Sequence, residues 1–170
     1  ALGNMSCNHD SNRTAIANHG GIEQILMAMR AHGLDPSVQH HACGVLWNLT
    51  VNNDKNKALI GQQGGIELIL MAMKSFPQDS HVQHEGCGSL CNLSCNHDGN
   101  HALIHQWQGV SLVLLAMLNH ARDVNVQHQA CSLLRNLTSR TLNCTAIARQ
   151  GGIELVLMAM KTHSKDANVQ

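Results

Sequence analysis

Val38 opens the stretch VQHHACGVLWNLT, Val82 opens VQHEGCGSLCNLS and Val126 opens VQHQACSLLRNLT. The three copies stand 44 residues apart. A second block, GGIE, begins at Gly20, Gly64 and Gly151, and an altered copy, QGVS, begins at Gln108, giving spacings of 44, 44 and 43. Self-similarity at such a period marks a repeat architecture, in which one unit cannot bury its apolar face alone and neighbours stack into a continuous core. The chain opens late in one unit, since LGNMSCNHD from Leu2 matches LCNLSCNHD from Leu90, 88 residues on. It closes on Val169-Gln170, where a further copy begins. The expected organisation is a single domain over 1–170. It has a partial unit at 1–11, units over about 12–55, 56–99 and 100–142, and a partial unit at 143–170.

Each unit reads as three helices. In the second complete unit a short helix over 56–63 carries Ala58, Leu59 and Ile60. Gly64-Gly65 interrupts it, because glycine tolerates the left-handed conformation that ends a helix. An apolar helix follows over 66–76, and Pro77-Gln78-Asp79-Ser80 forms a turn in which proline stops it. A long third helix runs over 81–95 and ends at the NHDG from Asn96. On a 3.6-residue wheel Leu90, Leu93, Gly86 and Cys87 share one side, and Asn92, Gly88 and Glu85 share the other.

Composition excludes several classes. The chain is 44% hydrophobic and 13% charged, so it can bury a core. Aromatic residues are only 2%, so that core is aliphatic and suits closely packed helices. Eleven basic residues balance eleven acidic ones, which gives no long-range attraction to nucleic acid or to an anionic membrane. There is no run of 18 apolar residues and no visible signal peptide, although the chain starts at Ala1 without Met. The expected compartment is the cytoplasm. Seven cysteines include Cys43, Cys87 and Cys131 at one repeat position, read as small buried thiols in reducing surroundings.

The short helix, glycine hinge, apolar helix and long helix ending L-x-N-[LM]-[ST] resemble the armadillo repeat over essentially the whole chain. That resemblance implies an all-α fold, a right-handed superhelical solenoid of three-helix units whose third helices line a concave groove. It also implies that the recurring Asn of the third helix, here Asn4, Asn48, Asn92 and Asn136, holds the backbone of an extended peptide. A primary amide both donates and accepts, so it pairs with a peptide bond whatever the side chains are. The competing reading is that these residues bridge neighbouring helices. Nuclear-import adaptors of the family place Trp four residues before the Asn; here those positions are Gly44, Gly88 and Ser132, so their basic-side-chain pockets are expected to be absent. Glu85 is the only acid seven residues before a ladder Asn. Arg135 and Arg140 place positive charge near the last complete unit, in the manner of the catenin-like branch. Trp47 is either an aromatic ligand contact or inter-unit packing, and Trp107 is a candidate contact for a neighbouring protein.

Thirteen histidines include a ladder at His40, His84 and His128. Hydrogen bonding between third helices is its expected role, with pH-sensitive binding as the sharper alternative. Cys91, Cys95, His97, His101 and His105 surround one loop and include zinc-type ligands. Repeat ancestry accounts for part of that grouping, and no metal or cofactor is expected. The N-x-[ST] matches at Asn4, Asn48, Asn92 and Asn136 fall inside helices and coincide with the ladder, so they are not read as glycosylation acceptors. With no nucleophile motif, phosphate-cradling loop or spaced carboxylate pair, the expected function is non-enzymatic. It is a protein-interaction scaffold that binds an extended peptide through Asn48, Asn92, Asn136 and Asn4, with Trp47, Glu85, Arg135 and Arg140 flanking. The alternative is a structural subunit that stacks end to end, through exposed repeat ends, or through its convex face.

Overall fold

A computed structural model describes residues 1–7, 9–138 and 141–170 of the chain. Among the described residues the regular structure is entirely helical. A stub, α1 (Leu2–Ser6), is followed by α2 (Asp10–Asn18), α3 (Gly21–Ala31) and α4 (Pro36–Thr50). The next unit comprises α5 (Asp54–Gln62), α6 (Gly65–Ser75) and α7 (Ser80–Ser94). Then come α8 (Asp98–Gln106), α9 (Gly109–Asn119) and α10 (Val124–Leu137), and finally α11 (Thr141–Arg149) and α12 (Gly152–Thr162). The fold is therefore an α-solenoid of three-helix units, with helix ends within two residues of those read from the sequence.

Each hinge has a separate reason for each of its two residues. The first adopts the left-handed conformation, with φ of 75°, 81° and 79° at Gly20, Gly64 and Gly151. Gln108 takes the same turn at φ 58°, so this position prefers glycine without requiring it. The second is glycine in all four units because the Ile of the preceding short helix packs on it. A Cβ at Gly65 would lie 2.4 Å from Cγ2 of Ile60, and one at Gly109 would lie 2.5 Å from Cγ2 of Ile104. That approach seats the short helix across the second helix, at 72° for α8 and α9.

The third helices form one layer and contact one another most extensively, α7 lying between α4 and α10. Their N-termini are capped alike. Asp35, Asp79 and Asp123 each accept from the backbone N–H groups two and three residues on, at 2.9–3.2 Å. Gln39, Gln83 and Gln127 are buried at the first turn. Each donates from Nε2 to two carbonyls at the end of the second helix; Gln83 reaches Met73 O at 2.8 Å and Phe76 O at 2.9 Å. One side chain thus satisfies two orphan carbonyls and ties the second helix to the third. The core between the layers is aliphatic, with Leu46, Leu49, Ile69, Leu90, Leu93 and Leu133 fully buried. No single helix among the described residues is long and apolar enough to cross a membrane.

Candidate functional site

The Asn ladder lies on the surface of the third-helix layer, and one bond recurs along it. Asn48 Nδ2 donates to Gly3 O at 3.5 Å, Asn92 Nδ2 to Trp47 O at 3.4 Å and Asn136 Nδ2 to Cys91 O at 2.9 Å. Each acceptor is the residue just before the ladder Asn of the previous unit. The same carbonyl also accepts from a hydroxyl of its own helix. Ser6 donates to Gly3 O at 3.0 Å, Thr50 to Trp47 O at 2.7 Å and Ser94 to Cys91 O at 3.0 Å. Each of these carbonyls is therefore held by two side-chain donors, the Ser or Thr of its own helix and the Asn of the following unit, so the N-[LM]-[ST] signature bridges neighbouring third helices. The bond to the carbonyl uses one of the amide's two N–H groups. Asn48, Asn92 and Asn136 stay half-exposed, and Asn4, in the stub, is exposed.

The glycines four residues before the ladder are filled reciprocally from the neighbouring unit. A Cβ at Gly88 would lie 2.4 Å from the ring of Trp47, so the α4 indole lies over the backbone of α7. A Cβ at Gly44 would lie 2.9 Å from Oε2 of Glu85, so the α7 carboxylate lies over the backbone of α4. The import-adaptor Trp is absent at both positions, yet the space at 88 still holds an indole, supplied from the unit before. His84 stands edge-on to Trp47 with ring centroids 5.4 Å apart, and its Nδ1 is 3.7 Å from Oε1 of Glu85. Trp47, Asn48 and Glu85 line one open cleft of about 1040 Å³, together with Asn4, His40 and the stub residue Leu2.

At the other end of the ladder Arg135 is exposed beside Cys91 and Asn136. Arg140 lies outside the described residues. Burial pushes the Cys91 thiol up to about 11, with the Arg135 charge opposing that rise. Cys43 is pushed up to about 12 by burial and, secondarily, by the Glu85 charge, and Cys87 is pushed up further still. Cys131 is only half-buried, where a fully buried thiol was expected.

The histidine ladder does not form the expected hydrogen bonds between third helices. His40 meets the ring of His41 at 3.9 Å, tilted by 44°, and approaches His81 of α7 at 5.7 Å, His84 meets Trp47, and His128 contacts its neighbour Gln129. Among the described residues no ring contact or hydrogen bond joins one rung to the next. The Cys/His grouping around 91–105 also resolves into separate structural tasks. His97 Nδ1 accepts from Asn100 N at 3.1 Å as an N-cap, and buried His101 bonds Ser94 O at 2.7 Å. Among the described residues no three His, Cys, Asp or Glu side chains gather around a metal-sized space. Sequence reading missed the buried Lys57, whose Nζ donates to Asp54 at 2.9 Å and to Cys95 O at 3.3 Å. Its signal was present: Arg13, Lys57 and His101 form a polar row of period 44.

Residues 27–140 match the family model described as Protein zer-1 homolog-like, C-terminal domain. No curated protein matches the chain. The crystal structure of one engineered protein is similar to all of this chain at 29% identity and a TM-score of 0.84, and that of another to 99% of it at 28% identity and 0.85. This chain spans 66% of the first and 39% of the second. A third engineered protein, 18% identical with a TM-score of 0.60, is alike over 99% of this chain and 84% of its own, which bears on fold alone.

Proposed function

We propose that this chain, which belongs to the Protein zer-1 homolog-like, C-terminal domain family, is a non-enzymatic interaction module that holds an extended peptide along its Asn ladder. The observation that carries this reading is the half-exposed state of Asn48, Asn92 and Asn136 at one position of three successive units. The inter-unit bond aligns each amide and leaves the carbonyl oxygen for a ligand, with a second N–H on Asn48 and Asn92; Asn136 Nδ2 also donates to Cys91 Sγ at 3.4 Å. Pre-aligned amides bind at lower entropic cost than free ones, because the rotamer is already chosen. Adjacent helices sit roughly 8–10 Å apart, and an extended chain advances about 3.3 Å per residue. Successive rungs therefore meet a peptide about every third residue. Trp47 supplies an apolar face and Glu85 a carboxylate at one end of this surface, and exposed Arg135 supplies positive charge at the other. The two ends thus favour opposite charges on a bound segment and give it a direction.

The test is a peptide-array screen followed by calorimetry on the hits. A genuine ladder ligand should lose at least about ten-fold in affinity on Asn92→Ala and again on Asn136→Ala. Helix content is expected to stay unchanged by circular dichroism. Undiminished affinity in both variants would remove the ladder from the site.

A further inference from the structure

Most of the large apolar residues exposed on this chain sort into two kinds. Leu2, Met5, Ile153 and Leu157 are exposed at 37–60%. Their counterparts one unit away, Leu46, Leu49, Val110 and Leu114, are buried. These four occupy positions that a neighbouring unit covers elsewhere in the stack. Met27, Met71, Leu115 and Met158 differ. They occupy one position in all four second helices, at spacings of 44, 44 and 43, and are 50%, 53%, 41% and 40% exposed. Stacking does not cover them in any unit.

This apolar row runs between two charged rows. Four residues before each rung stand Glu23, Glu67 and Glu154, and three residues after stand Arg30, Lys74 and Lys161. In α9 the flanking positions are Ser111 and Leu118, so the apolar area widens there. Positions i−4, i and i+3 share one face of a helix. The acidic and basic positions, i−4 and i+3, are seven residues apart, about 10 Å along the axis, too far to pair within their own helix. Among the described residues none of these six charges forms an ion pair, although Arg30 donates to the backbone of Gln63 at 2.9 Å.

We propose that the outer surface of α3, α6, α9 and α12 is a self-complementary docking face for a second copy of this chain, related by a two-fold axis running along the apolar row. That operator keeps the rungs level, Met71 against Met71, and reverses the helix direction in the partner. The acidic row of each copy then faces the basic row of the other. A two-fold axis parallel to the helices would instead set acid against acid and base against base, which is repulsive. The charge pattern thus selects one symmetric arrangement, as an isologous interface requires. Four helices about 16 Å long and roughly 10 Å apart present on the order of 600 Å² per copy. That is somewhat below the usual figure of about 800 Å², so the dimer is of modest affinity.

Sedimentation velocity over a concentration series tests this on the full chain. Dimer formation in the low- to mid-micromolar range is expected, and a strict monomer up to about 1 mM, equivalent to only about −4 kcal/mol, overturns the proposal. The arrangement is read by charge reversal at exposed sites. Glu67→Lys alone and Lys74→Glu alone should each weaken self-association at least about ten-fold. An equimolar mixture of the two variants should regain it, because position 67 of one copy then again faces a charge of opposite sign at position 74 of the other. A dimer that neither single change weakens, or that the mixture fails to restore, overturns the proposed face. Circular dichroism on each variant separates lost association from lost folding.

Discussion

Gly88 and Trp47 show at the level of single residues how this surface is shaped. The indole occupies the volume that a side chain at 88 would need, so Gly88→Ala must push the ring aside. The expected cost is about 1–3 kcal/mol, with a red shift in tryptophan emission as Trp47 becomes more exposed. Trp47→Ala in the same chain should erase most of that cost, and a double-mutant cycle with no coupling would refute the contact. The thiols make a second prediction at this scale. Cys43 has a folded pKa of about 12 against roughly 8.5 when exposed. A raised thiol pKa means that the folded state favours the neutral form. That stability is complete below the unfolded value and drains away as pH rises from there towards about 12. Thermal melts across this range should show a steep alkaline decline that Cys43→Ala makes shallower. An unchanged slope would count against a buried thiol as its cause.

Between helices, stability rests on a few repeated joints. Gln83 closes two carbonyls at the end of α6 from the first turn of α7. Gln83→Leu keeps the volume but strands both acceptors, at an expected cost of about 2 kcal/mol, measured by urea denaturation. A change within about 0.3 kcal/mol would mean that water replaces the amide. The hinge offers the opposite sign. Gln108 sits at φ 58° where the other units have glycine. Gln108→Gly relieves that strain and is expected to add about 0.5–1 kcal/mol after the entropic penalty of glycine. Gly65→Ala has no such freedom, because its Cβ would collide with Ile60 and with a backbone oxygen.

For the molecule as a whole, a solenoid is stabilised by nearest neighbours, so position along the stack governs local stability. α7 is covered on both sides by other third helices, whereas α12 buries only Gly152 and Ala159 and leaves Ile153 and Leu157 bare. Hydrogen exchange should therefore be slowest in α7 and faster towards both ends of the described stack, in α1 and α2 as in α11 and α12. Uniform protection along the chain would contradict nearest-neighbour stabilisation. The same exposure sorting isolates the Met27–Met158 row, since only a residue bare in every unit points to a surface that stacking does not use.

The period of 44, the three helices per unit and the glycine hinges were legible in the amino-acid order. They arise from local causes: helical periodicity, Asp caps, left-handed glycines and a proline stop. The Asn ladder was legible as a row of equivalent positions. What those residues touch was not, because the contacts join residues 45 positions apart and depend on how one unit turns against the next. Only the tertiary structure placed the indole of Trp47 over Gly88 and the carboxylate of Glu85 over Gly44. It also gave His40 and His84 ring contacts in place of hydrogen bonds between third helices, and set His97 to cap α8 and His101 to bond the end of α7. Local chemistry determined the repeat, and the rotation between successive repeats decided the surface.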